Sequence, residues 1–229
     1  MLGSAHQATA ICRTLMLHSH AAILNVDYRL APEHPYPAAI EDCFETVRWV
    51  ADNAASLGID PDRIGVGGSS AGANLAAACT LAARDGILPE LRMQCLLYPV
   101  LDADFETPSY HAYANGLVLE RDAMIWYWDQ YCPDHTQRRD WKAAPARAET
   151  LTGLCATHLV IAEHDVLRSE NEKFAQRLKE AAVPLTTQWL PGAIHGALTM
   201  CVESPTMRAS LKELGCKVQL HLQELGCKT

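Results

Sequence analysis

Residues 67–77 read GGSSAGANLAA, with Gly67, Gly68, Ala71 and Gly72 crowded around Ser69 and Ser70. The stretch follows a short apolar run, Ile64 to Val66, and opens an alanine-rich one. Very small residues on both sides of a serine permit a backbone bend that larger neighbours would obstruct. The plain reading is a flexible glycine turn. The sharper reading is a strained strand-to-helix elbow that presents Ser70 as a nucleophile. Gly68-Ser69-Ser70-Ala71-Gly72 fits G-x-S-x-G, which chance yields in a chain this long roughly one time in ten, so the flanking sequence has to decide. Asp60-Pro61-Asp62-Arg63 reads as a turn, Ile64-Gly65-Val66 as a strand and Ala71 to Arg84 as a helix, the setting the elbow needs. Ser70 then stands at a helix N-terminus, where the Ala71 N–H and the positive end of the helix dipole face a developing oxyanion.

The same alternation extends along the chain. Apolar runs at Ala21 to Val26, Ile64 to Val66, Cys95 to Val100 and His158 to Ala162 are separated by helical segments, and a fifth, Leu185 to Leu190, follows Pro184. This predicts an α/β fold, a mostly parallel sheet flanked by helices, in one domain spanning 1–229. After Pro37, residues Ile40, Phe44, Val47 and Ala51 fall at helical spacing, with Leu57-Gly58 as the stop. Ser169 and Glu172 read as a capping box for a helix burying Phe174, Leu178 and Ala181. Glu120 to Tyr131 gathers Trp126, Tyr127, Trp128 and Tyr131 on one helix, whose aromatics read as core in preference to a substrate wall. Near the end, LKELGCK (211–217) recurs as LQELGCK (222–228). That offset is close to three helical turns and sets Leu211, Leu214, Val218, Leu222 and Leu225 on one face, so 199–229 reads as a C-terminal helical segment or an appended tail.

Composition narrows the function. The 229 residues carry a formal charge of -8, which argues against nucleic-acid and anionic-membrane surfaces and favours a small neutral substrate. Nine cysteines without a C-x-x-C pair point to reduced thiols in a cytoplasmic setting, with neither a zinc site nor a disulfide framework. No stretch reaches the roughly 18 apolar residues of a membrane span, and no cofactor motif is present.

A serine hydroxyl needs a base to accept its proton and a third group to orient that base. Of ten histidines, His195 stands apart. It lies in Pro191-Gly192-Ala193-Ile194-His195-Gly196, directly after the last predicted strand, where it can overhang the carboxyl edge of a parallel sheet. Two acids end strands, Asp102 and Asp165. Both keep the order serine, acid, histidine. Asp165 is favoured because it leaves room for one helix and one strand before His195.

YRLAPEHPYPAA (28–39), the elbow followed by Asn74-Leu75-Ala76, Tyr98-Pro99, EHDVLRSE (163–170) and PGAIHG occur in an order that resembles the bacterial hormone-sensitive-lipase-like esterases, or family IV. The resemblance runs from about Gly3 to Leu198. It implies an α/β-hydrolase fold and carboxylic-ester hydrolysis, with Ser70 as nucleophile, His195 as general base and then acid, and Asp165 orienting the imidazole. Ser69 stands where the family usually has Asp or Thr, and Val166 where it usually has Pro. The family's HGGG oxyanion loop is not in this sequence, and Leu2-Gly3-Ser4 matches what normally follows it. The strand that usually lies between those corresponding to Ala21 to Val26 and Ile64 to Val66 has no counterpart here, nor has the N-terminal part of the helical cap.

The resemblance thus leaves the Ala71 N–H as one oxyanion donor where two or three are usual, and losing one such donor costs about 100- to 1000-fold in rate. A rearranged N-terminal segment, a side chain such as Ser69 or Asn74, or a neighbouring subunit could supply another. The two strands flanking the gap are expected to pair directly or to be covered in a homo-oligomer. The leading reading of function is a serine carboxylesterase for small short-acyl esters. The second is a weak or silent truncated α/β-hydrolase module, and the third a peptidase or amidase on the same fold.

Overall fold

Four strands form one parallel sheet in the order β1 (Gly65–Ser69), β2 (Met93–Leu97), β3 (Ala156–His164), β4 (Leu185–Ile194). The structure is a computed structural model and describes residues 3–223. Its helices are α1 (Thr9–Ser19), α2 (Ala38–Asp52), α3 (Ala54–Leu57), α4 (Ala71–Arg84), α5 (Pro108–Ala112), α6 (Arg121–Tyr131), α7 (Arg168–Glu180), α8 (Ala197–Met200) and α9 (Pro205–Gln223).

The two central strands are buried on both faces, as a sheet covered by helices on each side requires. Leu96 of β2 and Leu159 and Ile161 of β3 pack against Leu81 of α4 and Phe174 and Leu178 of α7. Their alternates, Cys95, Leu97, Val160 and Ala162, pack against Ile11 of α1 and Leu211 and Leu214 of α9. The period of two along each strand thus sorts the helices into two layers. Register sets the last residues of β1 and β2 side by side, Ser69 with Leu97, while β3 pairs Val160 with Leu97 and runs on to His164. The three loops that leave those ends lie together.

Several sequence expectations need correction. Ala21 to Val26 forms no strand and does not pair with Ile64–Val66. Strand formation needs a ladder partner, and this segment instead bonds through side chains. Asn25 Nδ2 donates to Ala5 O at 2.6 Å, Asp27 Oδ1 accepts from Ala5 N at 3.1 Å, and Arg29 pairs with Asp42 of α2. Ile23 and Leu24 are left exposed, and β1 is an edge strand among the described residues. The strand expected to reach Val100 stops at Leu97, because Tyr98 turns to a φ of 38°. Ser169 caps nothing: α7 starts at Arg168, and the Ser169 hydroxyl accepts instead from Ser109 N at 3.0 Å.

In α6, Trp128 is buried and Trp126 exposed, so only part of that aromatic group is core. On α9, Leu211 and Leu214 are buried, with Val218 and Leu222 packed beside them, whereas Leu225 and most of the second repeat copy lie outside the described residues. Among the described residues no helix is long and apolar enough to cross a membrane.

Candidate active site

The elbow begins where β1 meets α4. Ser70 has φ 55° and ψ -117°, a conformation that costs a non-glycine residue on the order of 1–3 kcal/mol and persists only when the surroundings impose it. They do so here. A Cβ on Gly67 would lie 3.1 Å from the Cys95 carbonyl oxygen, and one on Gly68 only 2.3 Å from the Gly72 carbonyl carbon. Ser70 N donates to Leu97 O at 2.9 Å, tying the turn to the end of β2. The elbow therefore exists because two glycines let β1 run close to its neighbour strand and then close onto the first turn of α4.

Asp165 lies just past β3 and is almost fully buried. Its Oδ1 accepts from Leu167 N at 3.0 Å and its Oδ2 meets His195 Nδ1 at 2.7 Å. His195 follows the last residue of β4, which runs on past the expected end at Leu190 to Ile194, and it lies between Gly192 (φ 68°) and Gly196 (φ 77°), two left-handed positions that suit glycine. Its Nε2 lies 2.9 Å from Ser70 Oγ. A carboxylate oxygen only accepts, so the ring proton sits on Nδ1 and Nε2 is free to take the serine proton. The three residues singled out in sequence thus form one hydrogen-bonded line. The carboxylate is sealed at its inner end, and a half-buried hydroxyl stands at the outer end.

Other sequence candidates fall elsewhere. Asp102, the second possible acid, bonds Arg147 Nε at 2.7 Å and so belongs to a separate ion pair. Asn74 cannot complete an oxyanion hole, because its amide donates to Val100 O at 3.0 Å and Ala143 O at 2.8 Å inside the core. Ala71 heads α4, with its N–H in the first turn beside Ser70. No group of three or more His, Cys, Asp or Glu able to hold a metal occurs among the described residues.

Three supports surround this hydrogen-bonded line, of which Tyr98 and Glu163 stand in the sequence motifs without a role and Ser109 stands in none. Tyr98 packs edge-on against His195 with ring centroids 5.0 Å apart, and burial pushes its phenol up to about 12, so it stays neutral beside the imidazole. Glu163 Oε2 accepts from Gly192 N at 2.6 Å and pins the histidine loop. Ser109 Oγ donates to Val166 O at 2.6 Å and holds the turn after Asp165. Each acts across more than 25 positions of sequence, which periodicity does not register.

A strained serine at a strand-to-helix turn, backed by histidine and a buried acid at neighbouring strand ends, defines an α/β-hydrolase. A family model described as alpha/beta hydrolase fold matches residues 1–199, and the chain belongs to that family. It is 38% identical over 209 residues to the carboxylesterase NlhH of Mycobacterium tuberculosis, covering 89% of this chain and 65% of the relative. It is 38% identical over 199 residues to an arylesterase of Saccharolobus solfataricus, covering 86% of this chain and 65% of that protein. Among solved structures, a thermostable esterase from Pseudomonas putida ECU1011 superposes with a TM-score of 0.93 at 38% identity, over 97% of this chain and 71% of the other. The chain thus spans about two thirds of the length of these relatives, and their esterase names agree with the resemblance carried by the five motifs.

Proposed function

We propose that the protein is a serine carboxylesterase that hydrolyses small carboxylic esters with short acyl groups through an acyl-enzyme on Ser70. The observation that carries this reading is the continuous line from Ser70 Oγ through His195 to Asp165, at 2.9 and 2.7 Å. Ser70 Oγ attacks the ester carbonyl while His195 Nε2 takes its proton, and Asp165 stabilises the imidazolium that results. The carbonyl oxygen gains negative charge beside the Ala71 N–H and the positive end of α4. Collapse breaks the carbon–oxygen bond to the alcohol, which leaves with the proton from His195. Water then attacks the acyl-serine, giving its proton to His195, and the carboxylic acid departs as Ser70 regains its hydrogen.

A second reading, a silent or slow module, is favoured by one specific observation. With Asn74 committed to Val100 and Ala143, the Ala71 N–H is the one donor assigned to the oxyanion among the described residues. Kinetics on p-nitrophenyl esters of increasing acyl length, run beside Ser70→Ala, separate the two. A kcat/KM that is highest for acetate or butyrate and vanishes in Ser70→Ala supports the esterase. Equal background rates for both proteins support the silent module.

A further inference from the structure

Just after β2, three consecutive residues have a backbone group held by buried side chains from two different helices. Asn171 Nδ2 donates to Pro99 O at 2.7 Å, Asn74 Nδ2 donates to Val100 O at 3.0 Å, and Leu101 N donates to Glu170 Oε1 at 2.7 Å. Asn74 lies one turn into α4, the helix that Ser70 opens. Glu170 and Asn171 lie in the first turn of α7, the helix that follows Asp165. All three side chains are at most 4% exposed.

We propose that Glu170, with Asn171 and Asn74, is a positioning residue that uses residues 99–101 as a strut to fix the Ser70 elbow against the Asp165 turn. This rests on the reading of Ser70, His195 and Asp165 as the catalytic set. The strut touches Ser70 directly and reaches the other two members through its neighbours. Val100 N donates to Ser70 O at 3.4 Å, the adjoining Tyr98 packs on His195, and α7, which carries Glu170 and Asn171, begins at Arg168, three residues beyond Asp165. Tyr98 is also held at a φ of 38°, which a loosened segment would relax.

A buried carboxyl costs stability unless something needs it. Glu170 lies on the same helix face as Phe174 and Leu178, where an apolar side chain would pack, and its Oε2 has no partner. The need it meets is the Leu101 N–H, which would otherwise be stranded in the core. Burial raises its pKa well above the usual carboxylate range, so a neutral glutamine is a close stand-in.

The test compares Glu170→Gln, which keeps the acceptor, with Glu170→Met, which keeps the bulk and loses it. Steady-state kinetics are paired with NMR of the proton on His195 Nδ1, which reports the bond to Asp165 whether or not the protein turns over. The expected result is a Gln variant with wild-type kcat and resonance. The Met variant should lose roughly 100-fold in kcat at nearly unchanged KM, with the resonance shifted or broadened. Wild-type kcat and resonance in Glu170→Met overturn the proposal, as does an equal loss in both variants. If Glu170→Met fails to fold, Asn171→Leu, which frees Pro99 O instead, is read against the same outcomes. A wild type that hydrolyses no ester, with a resonance that moves in Met and not in Gln, would defeat the esterase reading while leaving the strut intact.

Discussion

Gly68 and Gly72 face each other so closely that a Cβ on Gly68 would sit 2.3 Å from the Gly72 carbonyl carbon, whereas a Cβ on Gly72 would meet nothing within 4 Å. The two glycines of the G-x-S-x-G pattern are therefore not equivalent. Gly68→Ala is expected to push β1 away from the first turn of α4, destabilising the fold by roughly 1–3 kcal/mol. The same displacement should cut kcat by about 100-fold. Gly72→Ala should fold normally and gain up to about 1 kcal/mol from better helix propensity. Denaturant unfolding of the two variants beside the wild type checks this contrast, which equal losses would contradict.

Much of this site was legible in the sequence, because the elbow, the acid and the histidine all lie at ends of apolar runs in a short-range pattern. Helix α4 was legible over its full span for the same reason. The Ala21 to Val26 run misled because strand propensity is local while a strand's partner is not. Ser169 misled because its hydroxyl is taken by Ser109, 60 residues away. Glu170 was hidden among the charges of EHDVLRSE, yet its spacing to Phe174 and Leu178 at i+4 and i+8 placed it on the buried face.

Two buried groups should give the stability curve opposing slopes. Burial raises the Glu170 pKa well above its ordinary value. The unfolded chain then releases that proton first, and stability falls as pH rises from about 4.3 towards the folded value. His158, on β3 beneath α9, behaves in the reverse sense. Burial lowers its pKa, with Gln188 bonded at 3.3 Å and Glu213, Lys217 and His221 nearby. The unfolded chain takes up the proton first, so stability is lost as pH drops below about 6.5. Chemical unfolding between pH 4 and 8 should show Glu170→Gln gaining on the wild type towards neutral pH and His158→Gln gaining on it towards acid. Parallel curves for all three proteins would refute both assignments.

Helices α1 and α9 cross at Gly215, where a Cβ would fall 2.5 Å from the His18 Cβ. Gly215→Val should force the helices apart and cost about 1–3 kcal/mol through overpacking. The crossing lies on the face of the sheet away from α7, in the cluster that also holds Tyr98 and Ala197 beside His195, so the labelling rate of Ser70 in the folded variant should fall along with stability. Thermal unfolding and probe kinetics on one preparation read both effects, and a variant as stable as the wild type would show that the crossing is looser than described.

The central claim is that Ser70 is a nucleophile activated through His195. It is tested most directly by intact-mass spectrometry after exposure to a fluorophosphonate, followed by peptide mapping. The expected result is one adduct per chain, located on Ser70, absent in Ser70→Ala and formed far more slowly in His195→Gln. An adduct on another residue, a wild type that stays unlabelled, or labelling that persists in Ser70→Ala would contradict it.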